Sequence, residues 1–202
     1  MVFYQANSIK FDDVNDTFRF FNPKAGITYT LNSASSVYGY FGIANKEPRR
    51  DDYESGSIKP ERLQDFELGY KFKSNKAALN INAFYMKYKD QLVATGSLND
   101  VGSPVFENSG KSYRLGLEIE SAIKPLKWLT VAPNVTLSTN KNEDFYFQRD
   151  GVLTNLGNTN IAYSPNLVVG NNITFTPIKS LQVSFLTKFV GEQYMGNINA
   201  EK

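Results

Sequence analysis

The chain has 202 residues, with 22 basic and 20 acidic side chains. That balance leaves no clustered basic face for a nucleic-acid partner. Cysteine and histidine are both absent, which excludes disulfides, thiol chemistry and imidazole bases or ligands within the chain.

No apolar run approaches the roughly 20 residues that a membrane-spanning helix needs, and apolar residues recur with period two instead. In chain order, Lys24 to Leu31 and Ser36 to Asn45 are predicted to pair about Asn32-Ser33-Ala34-Ser35. Leu63 to Lys73 sets Phe66, Leu68, Tyr70 and Phe72 against Asp65, Glu67, Gly69 and Lys71. Ser74-Asn75-Lys76 then turns the chain into Ala77 to Lys89. Ser112 to Ile123 sets Tyr113, Leu115, Leu117 and Ile119 against Arg114, Gly116, Glu118 and Glu120. It pairs through Lys124-Pro125-Leu126-Lys127 with Trp128 to Asn140. Pro133, on the apolar face of that run, removes a ladder donor and predicts a bulge or a weak stretch. Pro165 to Thr176 and Leu181 to Val190 form the last pair, about Pro177-Ile178-Lys179-Ser180. The fold class is all-β, an antiparallel meander of about eight strands.

Between these hairpins, segments 46–60, 90–111 and 141–164 are long for loops of a compact domain. Short turns thus alternate with long loops. A transmembrane barrel has short periplasmic turns and long extracellular loops. A soluble antiparallel sandwich, acting as a ligand- or carbohydrate-binding module through its loops, is the alternative. Strand alternation fits both, and the loop asymmetry favours the barrel. In a barrel, Glu67, Lys71, Arg114, Glu118, Glu120 and Lys188 face an aqueous lumen, the opposite face meets outer-membrane lipid, and Phe72 and Tyr85 fall at the two interfaces.

No catalytic constellation emerges. Glu118 and Glu120 share a strand face, but a solvated lumen wall explains them better than acid–base work. In the loops, Asp51-Asp52-Tyr53-Glu54 gathers oxygens of the kind calcium uses, although a polar loop tip has the same composition. Arg49 and Arg50 suit an anionic ligand or lipid phosphate, and equally an ordinary exposed loop. Phe145, Tyr146 and Phe147 form an aromatic cluster suited to contact. Gly96, Gly102 and Gly110 read as turn glycines. The candidate ligand-binding residues are therefore Arg49, Arg50, Asp51, Asp52, Tyr53, Phe145, Tyr146 and Phe147. No metal site, cofactor or enzymatic activity is expected.

Four segments resemble the carboxy-terminal half of TonB-dependent outer-membrane receptors. Phe21-Asn22-Pro23-Lys24-Ala25-Gly26-Ile27-Thr28-Tyr29 resembles the family's F-x-P-K-x-G-x-x-Y entry strand. Ser36 to Gly42, followed by Asn45 to Tyr53, resembles its ascending strand and the loop after it, with Lys46-Glu47-Pro48-Arg49 where the family often has an aromatic–Arg pair. Pro60 to Gly69 matches P-E-x-x-x-x-x-E-x-G, and Asn108 to Glu120 matches N-x-G-x-x-x-x-x-G-x-E-x-E. The resemblance implies an arc of a 22-stranded barrel in the bacterial outer membrane. It implies uptake of a scarce small-molecule or glycan ligand (siderophore, cobalamin, haem or glycan) with energy from the TonB complex, contacted through an amino-terminal plug. On this reading residues 1–202 are a partial barrel domain, with the plug and the last strands outside it.

Overall fold

The computed structural model describes residues 16–49, 52–53, 58–98, 102–143, 145–149 and 152–198. Eight long strands run β1 (Lys24–Asn32), β2 (Ser35–Lys46), β3 (Glu61–Lys73), β4 (Ala77–Lys89), β7 (Lys111–Leu126), β8 (Leu129–Glu143), β12 (Leu167–Ile178) and β13 (Leu181–Val190). They pair antiparallel in that order, each with its neighbours in sequence. Five short strands interrupt the long connections: β5 (Leu92–Leu98), β6 (Pro104–Asn108), β9 (Tyr146–Arg149), β10 (Val152–Asn155) and β11 (Thr159–Asn160). The β5–β6 and β9–β10 pairs are separate hairpins, and β11 adds to the loop end of β8.

These short strands were not expected from the sequence. They are brief, and the β5–β6 ladder shifts register between Ala94 and Leu98, which leaves no clear period. Gly96 is accordingly a strand residue within β5. Gly102 and Gly110 do take the left-handed backbone of turns, at φ 81° and 78°. The turns are tighter than expected. Ser33–Ala34, Lys127–Trp128 and Lys179–Ser180 suffice, because the strands extend through Asn32 and Ser35, through Lys124, Pro125 and Leu126, and through Pro177 and Ile178.

Pro133 lies inside an unbroken β8. On one side it pairs with Asn171 of β12, while on the other the ladder to β7 skips from Glu120–Asn134 to Ile123–Val131. The lost donor therefore faces β7, and the cost is confined to one interface.

The register carries apolar rows across the whole sheet. Tyr29, Val37, Tyr70, Ile81, Ile119, Val135, Val169 and Phe189 are successive cross-strand partners from β1 to β13. This face is not buried. Ile27 is 75% exposed and Leu68 66% exposed. The buried apolar side chains among the described residues are Phe84, Val93, Phe145 and Ile161, and none belongs to that face. A sandwich would cover it with a second sheet. Among the described residues nothing does, so the sandwich alternative fails. In water, each large apolar side chain left uncovered forgoes about 1.5–3 kcal/mol, whereas hydrocarbon accepts it.

Aromatic rows bound this face at both ends. At the loop end Phe41, Phe66, Tyr85 and Tyr113 follow one another with ring centroids 4.8, 6.4 and 6.2 Å apart. At the turn end Trp128 stacks on Phe175 at 6.1 Å, and Phe175 meets Phe185 edge-on at 6.0 Å. The register places these rows about ten residues apart along β8, between Leu129 and Thr139. That is about 33 Å along a strand and about 25 Å after a tilt of roughly 40°, the height of a barrel's lipid-facing band. β1 and β13 are exposed along their whole length.

Candidate functional site

The opposite face is polar. One row runs Thr30, Ser36, Lys71, Asn80, Glu120, Asn134, Gly170 and Lys188. Adjacent rows carry Glu67, Glu118 and Arg114, because residues two apart on one strand share a face. The six charged residues singled out for a lumen thus lie on one surface. Their partners came from register, which the sequence alone does not give. Tyr38 donates its hydroxyl to Asn82 Oδ1 at 3.1 Å, and Asn82 Nδ2 donates to Glu67 Oε2 at 3.3 Å. Lys71 Nζ sits 4.7 Å from the Tyr38 ring centroid, and the Arg114 guanidinium 5.4 Å from that of Tyr88. Asp65 Oδ1, Asn80 Oδ1 and Arg114 Nε are buried on this face without a hydrogen-bond partner.

Glycines keep the polar face shallow. A Cβ at residue 69 would overlap the Tyr38 ring, and one at 116 would overlap Phe84 and come within 2.6 Å of the Leu137 carbonyl. Each aromatic ring therefore lies across a neighbouring strand and does not project from it.

At the loop end the candidates separate. Asp52 is buried; its carboxylate accepts the Arg49 N–H at 2.7 Å, and its own N–H donates to the Arg49 carbonyl at 3.0 Å. It closes a turn. Tyr53 donates to Asp16 Oδ2 at 3.0 Å, and burial followed by that carboxylate holds the phenol above its ordinary value. Arg49 is exposed, while Arg50 and Asp51 lie outside the described residues. Phe145 is buried, its N–H donating to the Gly157 carbonyl and its carbonyl accepting from Leu156. Tyr146 is 56% exposed on β9, the strand that also carries Phe147. Among the described residues, no cluster of three acidic or other metal-binding side chains could hold an ion.

Sequence reasoning passed over a buried polar belt at this end. Ser112 Oγ donates to Gln91 Oε1 at 2.5 Å, and Asn142 Nδ2 donates to Thr159 Oγ1 at 3.1 Å and to Asn197 Oδ1 at 3.4 Å. Asn197 Oδ1 also accepts the Ala162 N–H at 2.9 Å. Ser112, Asn142 and Thr159 are completely buried. The belt ties the chain after β4, the chain after β8 and the chain after β13 into one rim. Polar residues without period carry no sequence signal for this.

The model of the TonB-dependent receptor-like β-barrel family matches residues 3–200. The chain belongs to that family. Its place is the bacterial outer membrane. No curated protein matches it. Among solved structures it is similar to the siderophore receptor PiuA of Acinetobacter baumannii, at 19% identity and a TM-score of 0.68 over 89% of this chain and 27% of that one. It is similar to the FrpB iron transporter of Neisseria meningitidis, at 20% identity and a TM-score of 0.59 over 84% and 26%. It is also similar to the copper transporter OprC, at 14% identity and a TM-score of 0.65 over 88% and 28%. The chain spans about a quarter of the length of these proteins, and what they share with it is the fold.

Membership gives the four motifs a physical reading. Asn108 accepts from Lys59 N–H at 2.8 Å and donates to the Lys59 and Asp90 carbonyls at 3.0 and 2.7 Å, joining two loops. Glu61 accepts the Leu92 N–H at 3.1 Å and Asn22 accepts the Asn45 N–H at 3.0 Å. Gly69 and Gly116 make room for Tyr38 and Phe84. The motif residues register strands and hold loop bases.

Proposed function

We propose that this chain is part of the wall of an outer-membrane receptor that binds a scarce ligand and imports it with TonB-coupled energy. The observation that carries the reading is the two-faced sheet: an uncovered apolar face bounded by aromatic rows, backed by a polar face that carries the charges. Such a sheet separates hydrocarbon from an aqueous passage. Strands on either side of β1 and β13 complete the barrel, and an amino-terminal plug fills it and contacts TonB. The buried, unpartnered Asp65, Asn80 and Arg114 atoms suit bonding to such a plug, since buried polar groups are costly unless paired.

The ligand we favour is an anionic metal chelate of the siderophore class, gripped at the rim by Arg49 and Arg50 and contacted by Tyr146 and Phe147. Exposure of Arg49 and Tyr146 supports this, as do the siderophore, iron and copper roles in the names of the similar structures. Asp52 and Phe145 support the loops from within. The test is growth of a deletion strain on single ferric siderophores as iron source, with and without the full-length receptor and with TonB present or absent. Receptor- and TonB-dependent growth on a siderophore is expected. Uptake confined to cobalamin, haem or a glycan overturns the ligand class, and uptake independent of TonB overturns the energy source.

A further inference from the structure

The short-turn rim carries charge of one sign only. Its turns and flanking residues contain Lys73, Lys76, Lys124, Lys127 and Lys179, and no Asp or Glu. All five lysines are exposed. The loop end, by contrast, mixes both signs among the described residues, with Arg49 and Lys59 as well as Glu47 and Asp52. The β3–β4 and β7–β8 turns are held together, with the Lys124 N–H donating to the Lys76 carbonyl at 2.8 Å. Lys73, Lys76, Lys124 and Lys127 therefore form one cluster on two adjoining turns. Its depth is set by aromatic neighbours. Phe72 precedes Lys73, and Trp128 follows Lys127 and stacks on Phe175 in the turn-end row. Aromatic rings of a barrel mark the boundary of the hydrocarbon, so ammonium groups one or two residues farther out lie at the level of lipid phosphates.

We propose that this rim is a binding surface for anionic phospholipid headgroups of the periplasmic leaflet, centred on Lys73, Lys76, Lys124 and Lys127. The proposal rests on the outer-membrane reading but not on the ligand or on TonB. Clustered ammonium groups attract anionic headgroups, each lysine contributing about fivefold near such a surface at low salt. An acidic periplasmic protein is the competing occupant. The aromatic row level with the cluster favours lipid, since it puts the lysines beside the bilayer and not beyond it.

The test uses the full-length receptor in detergent, with native mass spectrometry counting retained phosphatidylglycerol against phosphatidylcholine at equal supply. Wild type is expected to retain phosphatidylglycerol preferentially, with the preference falling as salt is raised. Replacing the four lysines by glutamine is expected to reduce the preference at least about tenfold, and replacing them by arginine to keep it. Heat-modifiable migration in gels checks that each variant is a folded barrel, which keeps failure of this proposal separate from failure of the barrel reading. No preference in wild type, a preference insensitive to salt, or one retained by the folded glutamine variant would each overturn the proposal. Should the glutamine variant not fold, the wild-type salt series decides.

Discussion

The ring of Tyr38, on β2, lies across Gly69 of β3, filling the space a side chain at 69 would need. Its hydroxyl goes on to Asn82 on β4, which holds Glu67. One aromatic side chain thus spans three strands and fixes their register, and the missing Cβ is what permits it. Phe84 and Gly116 repeat the relationship on β4 and β7, with one difference: the Leu137 carbonyl also crowds residue 116.

That difference is testable. Gly69→Ala is expected to destabilise the full-length receptor by about 1–3 kcal/mol, as overpacking does, and Tyr38→Ala to restore most of the loss. Gly116→Ala is expected to cost a similar amount, with Phe84→Ala restoring little, because a backbone carbonyl cannot move aside. Midpoints of heat-modifiable unfolding for the two double-mutant cycles give the comparison.

Leu68 and Lys71 lie on opposite faces of β3. Leu68→Arg is expected to cost about 2–4 kcal/mol and to lower the amount of receptor assembled in the outer membrane. Lys71→Leu, on the polar face, is expected to assemble at close to the wild-type level. Quantitative immunoblots of heat-modified and unmodified bands measure both.

Asn197 joins the outer segments through one oxygen that accepts from Asn142 and from Ala162. Asn197→Ala removes the acceptor of the part-buried Ala162 N–H and one of the two acceptors of Asn142 Nδ2, at a cost of about 1–3 kcal/mol. Hydrogen exchange by mass spectrometry is expected to quicken around 159–163 while the β3 and β4 amides keep wild-type protection.

The Tyr53–Asp16 hydrogen bond has a defined pH window. The Tyr53 pKa is raised above its ordinary value of 10.0. A raised phenol pKa means that the contact is fully present below pH 10.0 and lost as pH rises through the raised value. Alkaline titration is expected to loosen the segment around Asp16, and Tyr53→Phe to show the loosened state at neutral pH. Exchange of amides at 16–22 reads both.

The long strands were legible because their alternation has to survive along more than one pleat. Ala77–Lys89 and Leu181–Val190 were read to the residue, since each has a period of two and a turn beside it. The face assignment of Lys71, Glu120 and Lys188 follows from the same period, and only register shows that they share a row. Pro133 argued for a bulge or a weak stretch; the ladder is interrupted beside it toward β7, while β12 pairs through it. The loop strands were illegible, being four to seven residues long or shorter, as in β9 and β11. Among the site candidates, composition could not tell exposed Arg49 and Tyr146 from Asp52 and Phe145, which the loops bury. The distinction lies in backbone contacts between distant residues, such as Phe145 with Gly157.

The central claim is that one face of this sheet meets lipid and the other water. The absence of cysteine from the chain makes a direct measurement clean. Single cysteines from Asp65 to Phe72, Gly69 excepted, in a full-length receptor whose other cysteines are replaced, would carry a nitroxide label in a lipid bilayer. Collision with dissolved oxygen, which concentrates in hydrocarbon, is expected to peak at 66, 68, 70 and 72. At 65, 67 and 71 that accessibility should drop, whether water or plug lies there. Equal accessibility at even and odd positions, or even positions shielded from oxygen as in a protein core, would contradict the claim.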